Sequence, residues 1–442
     1  MQRSIRILRR RSMVVNWPRL GDWSTFEELA ELQATSAEAS LSAARSSPFY
    51  RSRRGKGARL ADVPLTTKDD LRAGYPFDFL ARPFRDVVTY HESSGTTGAP
   101  ISSFLTAHDW DECIDRFNRG AARIEADDRV LVKTPYSMAT TAHQMHNAAV
   151  ARGALVIPAD NRSSMMSYPR VLRLLRQIGV TVTWSLPSET LFWAAAAWAA
   201  GVETVDVGRD LRAMVVAGEV VSEAKRRRIA ELWGARVVED YGSTETGSLG
   251  GECRMGALHA WADRFCLEVS DPTTGRLSAR GRGRLVVTTL HRQAMPLLRY
   301  DLGDIVELWD EACPCGWVLP RIRVVGRTVP SSGGRINGLS QAAIDDVIYD
   351  LPADYRVLFW RGLLAGDSLR LEIEVHPSVA DAAADEVRAA LVDRLAVAAD
   401  VRAVPPGSLV PADLLLREKL FVKPRYLFSS TEDWERGLIY QE

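Results

Sequence analysis

The chain has no surplus of charge, with 56 basic residues against 56 acidic ones in 442. Such balance supplies no long-range attraction for a polyanion, so neither nucleic acid nor an anionic membrane is indicated as partner, and small molecules are expected instead. Long apolar runs are also missing. None reaches the roughly 18 residues a bilayer span needs, and the longest candidate, LFWAAAAWAAG at Leu191–Gly201, reads as a buried helix. Cysteine is scarce: Cys113, Cys253, Cys266, Cys313 and Cys315 are the only five. Without a secretory signal they argue for a reducing cytoplasm rather than a disulfide framework. The N-terminal MQRSIRILRRRSMVV carries five arginines and no acid, but it lacks a secretory apolar core, so residues 1–15 are expected to be a basic, disordered leader. No internal repeat or low-complexity segment stands out.

What is present is ample apolar sequence, 46%, in a length that suggests two or three domains. Short β-branched runs (RVLVK at Arg129–Lys133, ALVIP at Ala154–Pro158, VTVTW at Val180–Trp184, AMVVAG at Ala213–Gly218, ARVVED at Ala235–Asp240) alternate with helical segments such as YPRVLRLLRQIG and SEAKRRRIAELWG. This predicts α/β architecture with substantial parallel sheet. After about Asp263 the pattern becomes strand, Pro/Gly turn, strand, the mark of a β-rich subdomain. A Gly/Ser-rich link, GRTVPSSGGRING at Gly326–Gly338, then leads to a helix at Ser340–Tyr349, strands near Tyr355–Trp360 and Leu369–His376, and the helix DAAADEVRAALVDRLA. The expected organisation is a large N-terminal α/β domain over 1–327 and a small C-terminal α+β lid domain over 328–442.

One stretch looks like a phosphate-cradling loop. HESSGTTGAP, His91–Pro100, follows a strand-like VVTYHE, and its glycines and hydroxyls suit a nest of backbone N–H groups around phosphate oxygens. It lacks the lysine of GxxxxGK[ST], which excludes the P-loop pattern, and taken alone it is equally a polar surface turn.

Three further stretches stand in order behind it: VVAGEVVS at Val215–Ser222, DYGSTETG at Asp240–Gly247, and LRYDLGDIV at Leu298–Val306, followed by VVGR at Val324–Arg327. Together with the loop they resemble the adenylate-forming superfamily of acyl-CoA synthetases, adenylation domains and luciferases. GECRMGALHAWADRFCLEVSDPTTG and TTLHRQAMPLLRYDLGD are similar to the phenylacetate-CoA ligase type in particular. The resemblance implies ATP and Mg²⁺ as cofactors. It places Ser93, Ser94, Gly95, Thr96, Thr97 and Gly98 on the β- and γ-phosphates, Gly218 and Glu219 beside adenine, and Tyr241, next to Gly242, against the base. Thr244 would meet the α-phosphate, Glu245 would hold Mg²⁺, Asp304 would accept the ribose hydroxyls, and Arg327 would lie near the nucleotide. The family's catalytic cation is a C-terminal lysine. In LLLREKLFVKPRYLF, which fits that pattern poorly, Lys423 is the first choice and Lys419 the second, with a solvated basic face as the alternative for either.

Cys253 and His259 in CRMGALH, with Cys313 and Cys315 in CPCG, make four soft or borderline donors suited to closed tetrahedral Zn²⁺, a set also found in some of this family; reduced buried thiols are the alternative. The segment TPYSMATTAHQMHNAA, Thr134–Ala149, is expected to line the acid pocket. His143 there would orient substrate or act as base, unless it is merely a pocket wall.

The expected reaction converts an aryl or cyclic carboxylic acid to an acyl-adenylate, releasing pyrophosphate. GR is followed by Thr328, Val329 and Pro330 rather than an acidic hinge residue, which favours transfer to an amine over transfer to CoA; a CoA ligase is the alternative, and a non-catalytic nucleotide-binding relative the third reading. The sequence does not fix the oligomeric state, with a homodimer compatible.

Overall fold

The computed structural model describes residues 17–53, 59–93, 99–161, 163, 165–327, 339–365, 368–416, 426–429 and 434, without the side chain of Arg327. The expected leader at 1–15 and the expected domain boundary after 327 lie outside the described residues.

An antiparallel hairpin, β1 (Val87–Glu92) and β2 (Ser102–Thr106), precedes the main sheet. The parallel half of that sheet consists of β3 (Arg129–Lys133), β4 (Leu155–Pro158), β5 (Val182–Ser185), β6 (Ala213–Val216) and β7 (Arg236–Ser243), in the order β4-β3-β5-β6-β7. Its strands are the five β-branched runs of the sequence, and helices cross between them, among them Thr141–Ala151, Pro187–Ala199 and Glu223–Trp233. Every residue of β5 and of β6 is buried, as expected for parallel strands covered on both faces. The apolar segment at Leu191 lies in the helix Pro187–Ala199, buried from Pro187 through Ala197.

The β-rich region begins earlier than Asp263 and continues the same sheet. β8 (Gly247–Glu252), β9 (Leu258–Ala260), β10 (Phe265–Ser270), β11 (Leu277–Ser278), β12 (Gly281–Thr289), β13 (Tyr300–Trp309) and β14 (Arg321–Arg327) extend it in the order β7-β8-β9-β14-β13-β12-β10-β11. The switch to antiparallel pairing occurs at the turn between β7 and β8, where a Cβ on Gly242 would meet the Gly247 carbonyl oxygen at 2.3 Å. So tight a reversal needs no crossover helix, and glycine alone fits it. β13 alternates buried and half-buried residues along its length, the signature of a strand with one covered face.

A second, four-stranded sheet follows, formed by β15 (Trp360–Ala365), β16 (Ser368–Glu374), β17 (Ala399–Val404) and β18 (Leu427–Ser429) in the order β17-β16-β15-β18. The expected helices appear as Gln341–Ile348 and Ala380–Leu395. The strand expected near Tyr355–Trp360 is displaced: a helical turn occupies Ala353–Tyr355, Arg356 adopts a left-handed φ of 53°, and pairing starts only at Trp360. A residue in that conformation turns the chain and cannot extend a strand.

Candidate active site

Several of the sequence candidates converge beyond the ends of β6 and β7, the edge of a parallel sheet where ligands of α/β folds bind. Tyr241, at the end of β7, donates its hydroxyl to Asp304 Oδ2 on β13 at 2.8 Å, and both residues are buried. Tyr300 donates to Glu245 Oε1 at 3.0 Å, which aims the Glu245 carboxylate from the turn between β7 and β8. Glu245 is itself buried, with half-buried Thr244 beside it. After β6, Gly218 has φ 83°, and a Cβ there would meet Leu186 Cδ2 at 2.9 Å. Glu219 is held by the start of the helix Pro187–Ala199, where Ser188 donates from Oγ at 2.8 Å and from its backbone N at 3.2 Å.

The hairpin strands bracket the Ser/Gly/Thr loop. Ser93 closes its neck, with its N–H on the Ile101 carbonyl at 3.0 Å and its Oγ accepting from the Ile101 N–H at 2.9 Å. Ser94, Gly95, Thr96, Thr97 and Gly98 lie outside the described residues, as do Lys419 and Lys423. Arg327 is reached only as backbone, paired with Asp304 across β13 and β14.

His143 sits in an aromatic cluster. Its ring centroid lies 5.4 Å from that of His91, 5.3 Å from Tyr136 and 6.5 Å from Trp110, and its Nε2 is 3.0 Å from the Tyr136 carbonyl oxygen. A carbonyl oxygen only accepts, so Nε2 is the donor in this contact. Burial, then the neighbouring His143, push the His91 imidazole down to about 4, so His91 is neutral near pH 7. Flat rings around the neutral His91 imidazole suit a planar apolar group better than a charged one.

Behind the turn, burial raises the Asp240 carboxyl to about 8, although Ser248 Oγ donates to its Oδ1 at 2.6 Å. Arg116 donates to the Ser248 and Thr246 carbonyls, the latter at 2.9 Å, and ties the β8 side of the turn to the helix Ala107–Phe117.

Cys253, His259, Cys313 and Cys315 bring one donor atom each to within 4.8 Å of one another. Cys253 Sγ stands 3.9 Å from Cys313 Sγ, and Cys315 Sγ stands 3.7 Å from His259 Nε2. His259 Nδ1–H donates to the Leu319 carbonyl at 2.9 Å, which leaves Nε2 as the ligating nitrogen, and the Trp317 N–H donates to Cys315 Sγ at 3.3 Å. Three thiols and an oriented imidazole fit Zn²⁺ in a closed tetrahedral site. β9 pairs with β14 through His259 and Arg321, so an ion here would clamp neighbouring strands of the main sheet. Cys113 is buried and Cys266 half-buried, both apart from this set.

The sequence reading assigned no role to His91, Trp110 or Arg292. Arg292 is buried and donates from Nη2 to the Glu245 carbonyl at 2.9 Å, linking the HRQAM segment to the turn that carries the candidate magnesium ligand. His91 stands just before the Ser/Gly/Thr loop, so its position is local to a recognisable motif; the approach of Arg292, 47 residues from Glu245, carries no local signal.

Residues 59–279 match the model of the AMP-binding enzyme family. The chain belongs to that family. Within the family it is 34% identical over 278 residues to a phenylacetate-coenzyme A ligase of Thermus thermophilus, a match spanning 61% of each chain. Among solved AMP-forming folds, 2-hydroxyisobutyryl-CoA ligase in the postadenylation state, in complex with 2-HIB-AMP, superposes with a TM-score of 0.80 at 22% identity over 95% of both chains. The same ligase in its thioesterification state with 2-HIB-AMP and CoA gives a TM-score of 0.63 at 23% identity over 94% of both chains. The fold, a large mixed α/β part followed by a smaller α+β part, is therefore that of the adenylate-forming ligases.

Proposed function

We propose that the chain is an AMP-forming acyl-CoA ligase acting on an aryl or cyclic carboxylic acid. The observation that carries the reading is the pairing of Tyr241 with Asp304 and of Glu245 with Tyr300 at the sheet edge, in a chain 34% identical over 278 residues to a phenylacetate-coenzyme A ligase. In the first step a carboxylate oxygen of the acid attacks the α-phosphorus of ATP. The bond to the β-phosphate oxygen breaks and pyrophosphate leaves past the Ser93–Gly98 loop. In the second step the thiol of CoA gives up its proton to solvent, its sulfur attacks the acyl carbon, the bond from that carbon to the phosphate oxygen breaks, and AMP leaves.

In this reading Gly218, Glu219, Tyr241 and Gly242 shape the adenine side, Asp304 accepts the ribose hydroxyls, Thr244 meets the α-phosphate and Glu245 holds Mg²⁺, a hard cation that favours carboxylate and phosphate oxygens. Arg327 stays beside the nucleotide, and a lysine at 423 or 419 supplies the catalytic cation from the small domain, divided from the large one at 327/328. His143 and the rings around it orient the acid. Zn²⁺ on Cys253, His259, Cys313 and Cys315 serves structure, since four protein donors leave no open position for chemistry.

The acceptor is the finer question. Relatives of the phenylacetate-coenzyme A ligase type support CoA, whereas Thr328–Val329–Pro330 after Arg327, in place of an acidic hinge residue, supports an amine. The deciding first test is ATP–pyrophosphate exchange across a panel of aryl and alicyclic acids, with Glu245→Ala as control. Exchange with at least one acid that disappears in the variant supports the reading. No exchange with any of them removes it in favour of a non-catalytic nucleotide binder.

A further inference from the structure

Arg292 is only 6% exposed, and among the described residues it makes no ion pair. Its neighbours differ in this respect. The buried Arg116 stands 3.0 Å from Glu112 Oε1, and the buried Arg264 stands 2.6 Å from Asp115 Oδ2. Arg292 instead spends Nη2 on the Glu245 carbonyl at 2.9 Å and on Ser103 Oγ at 3.4 Å, both neutral acceptors, and its Nε makes no hydrogen bond. A guanidinium keeps its charge at any ordinary pH, so it cannot relieve this burial by losing a proton. Burial of a charge with no countercharge is costly, and an anion arriving beside it recovers that cost.

The position narrows what the anion is. Ser103 is the register partner of His91 on the hairpin that carries the Ser/Gly/Thr loop, and Glu245 lies in the turn on the other side. His91, within electrostatic range of Arg292, is kept neutral by burial, and the carboxylates of Glu245 and Asp109 accept from Tyr300 and from the Gln293 and Ala294 N–H groups, so among the described residues the cation stands between hairpin and turn without an ion pair. We infer that Arg292 is a built-in receptor for an anionic oxygen of the ligand: the carboxylate of the acid or the polyphosphate of the nucleotide. The fork is held by Glu245 and Ser103 and directs its remaining N–H groups at an oxygen that only the ligand supplies. By gripping the Glu245 carbonyl it also fixes the turn that bears the candidate magnesium ligand.

That the anion belongs to an acid or a nucleotide rests on the proposed function, whereas the buried cation without an ion pair does not. Calorimetric titration of the full chain with magnesium pyrophosphate, with phenylacetate and with the neutral ligand adenosine separates the two sources of the oxygen. Arg292→Met should weaken one or both anions at least tenfold and leave adenosine within twofold, and Arg292→Lys should recover part of the loss. Should Arg292→Met not fold, Arg292→Gln and Arg292→Lys carry the same comparison. Anion affinity unchanged in the variants, anion and adenosine affinity weakened alike, or no anion bound by the wild type each overturns the inference. Arg292-dependent anion binding without ATP–pyrophosphate exchange would instead refute the ligase reading and leave this one standing.

Discussion

Lys225 Nζ lies 3.7 Å from Asp345 Oδ2, and both side chains are wholly buried between the helix Glu223–Trp233 and the helix Gln341–Ile348. Lys225 stands over the rings of Tyr426 and Tyr349, at 5.0 and 5.7 Å, while Trp360 Nε1 donates to Asp345 Oδ1 at 2.8 Å. The pair therefore joins the part of the chain built on the main sheet to the part built on the four-stranded sheet. Arg228 and Ala224 reinforce the contact through the Tyr349 carbonyl and Asp346.

Removing one partner strands a buried charge. Asp345→Asn should destabilise the protein by about 3–5 kcal/mol, whereas Lys225→Met with Asp345→Leu should be near neutral or stabilising. Thermal and denaturant unfolding of the three proteins checks this. Equal destabilisation by the single and double variants would contradict it.

The four-donor cluster should hold one zinc ion per chain. Cys315→Ser or Cys253→Ser should lose the metal and lower the melting temperature by at least about 5 °C, because an ion at this site joins adjacent strands and its binding energy adds to stability. Metal analysis of the purified protein and of the variants measures it. A stable, zinc-free wild type would leave the reduced-thiol reading in place.

His91 should make stability depend on pH in a defined window. Its folded value, about 4, lies below the ordinary 6.5, so the unfolded chain binds more protons between these values. The His91 contribution is intact above about pH 6.5 and declines as the pH falls towards 4. His91→Gln should flatten that part of the melting-temperature profile relative to wild type. A variant with the wild-type slope would show that other groups set it.

Asp304→Ala removes the acceptor of the Tyr241 hydroxyl and, in the proposed site, the partner of the ribose. The KM for ATP should rise roughly 100-fold or more, consistent with the loss of two hydrogen bonds to a carboxylate at about 1.5–3 kcal/mol each, while the KM for the acid changes little. Steady-state kinetics with each substrate varied in turn decides this. An equal rise in both constants would point to general disruption of the sheet edge.

Much of this was legible in the sequence because its signals are local. The parallel strands from Arg129 to Asp240 and the helix Ala380–Leu395 follow from periodicity, and the thiol–imidazole cluster follows from donor type even though its halves are 60 residues apart. Where long-range packing decides, the local sequence carries no signal. The left-handed Arg356 moved a strand, Gly242 and Gly247 turned an expected subdomain into a continuation of one sheet, and Arg292 reached Glu245 through tertiary folding alone. The pairing of Tyr241 with Asp304 lies between these cases: both residues stood in recognisable stretches, yet only the antiparallel half of the sheet brings them together.

In the proposed function an acyl-adenylate forms here and passes to CoA. Mass spectrometry of reactions containing ATP, Mg²⁺, an acid that supports ATP–pyrophosphate exchange, and CoA together with an equimolar panel of amines tests it most directly. The expected result is acyl-CoA thioester in step with AMP, with amides at background. Amide accumulating faster than thioester, with AMP tracking the amide, would contradict it.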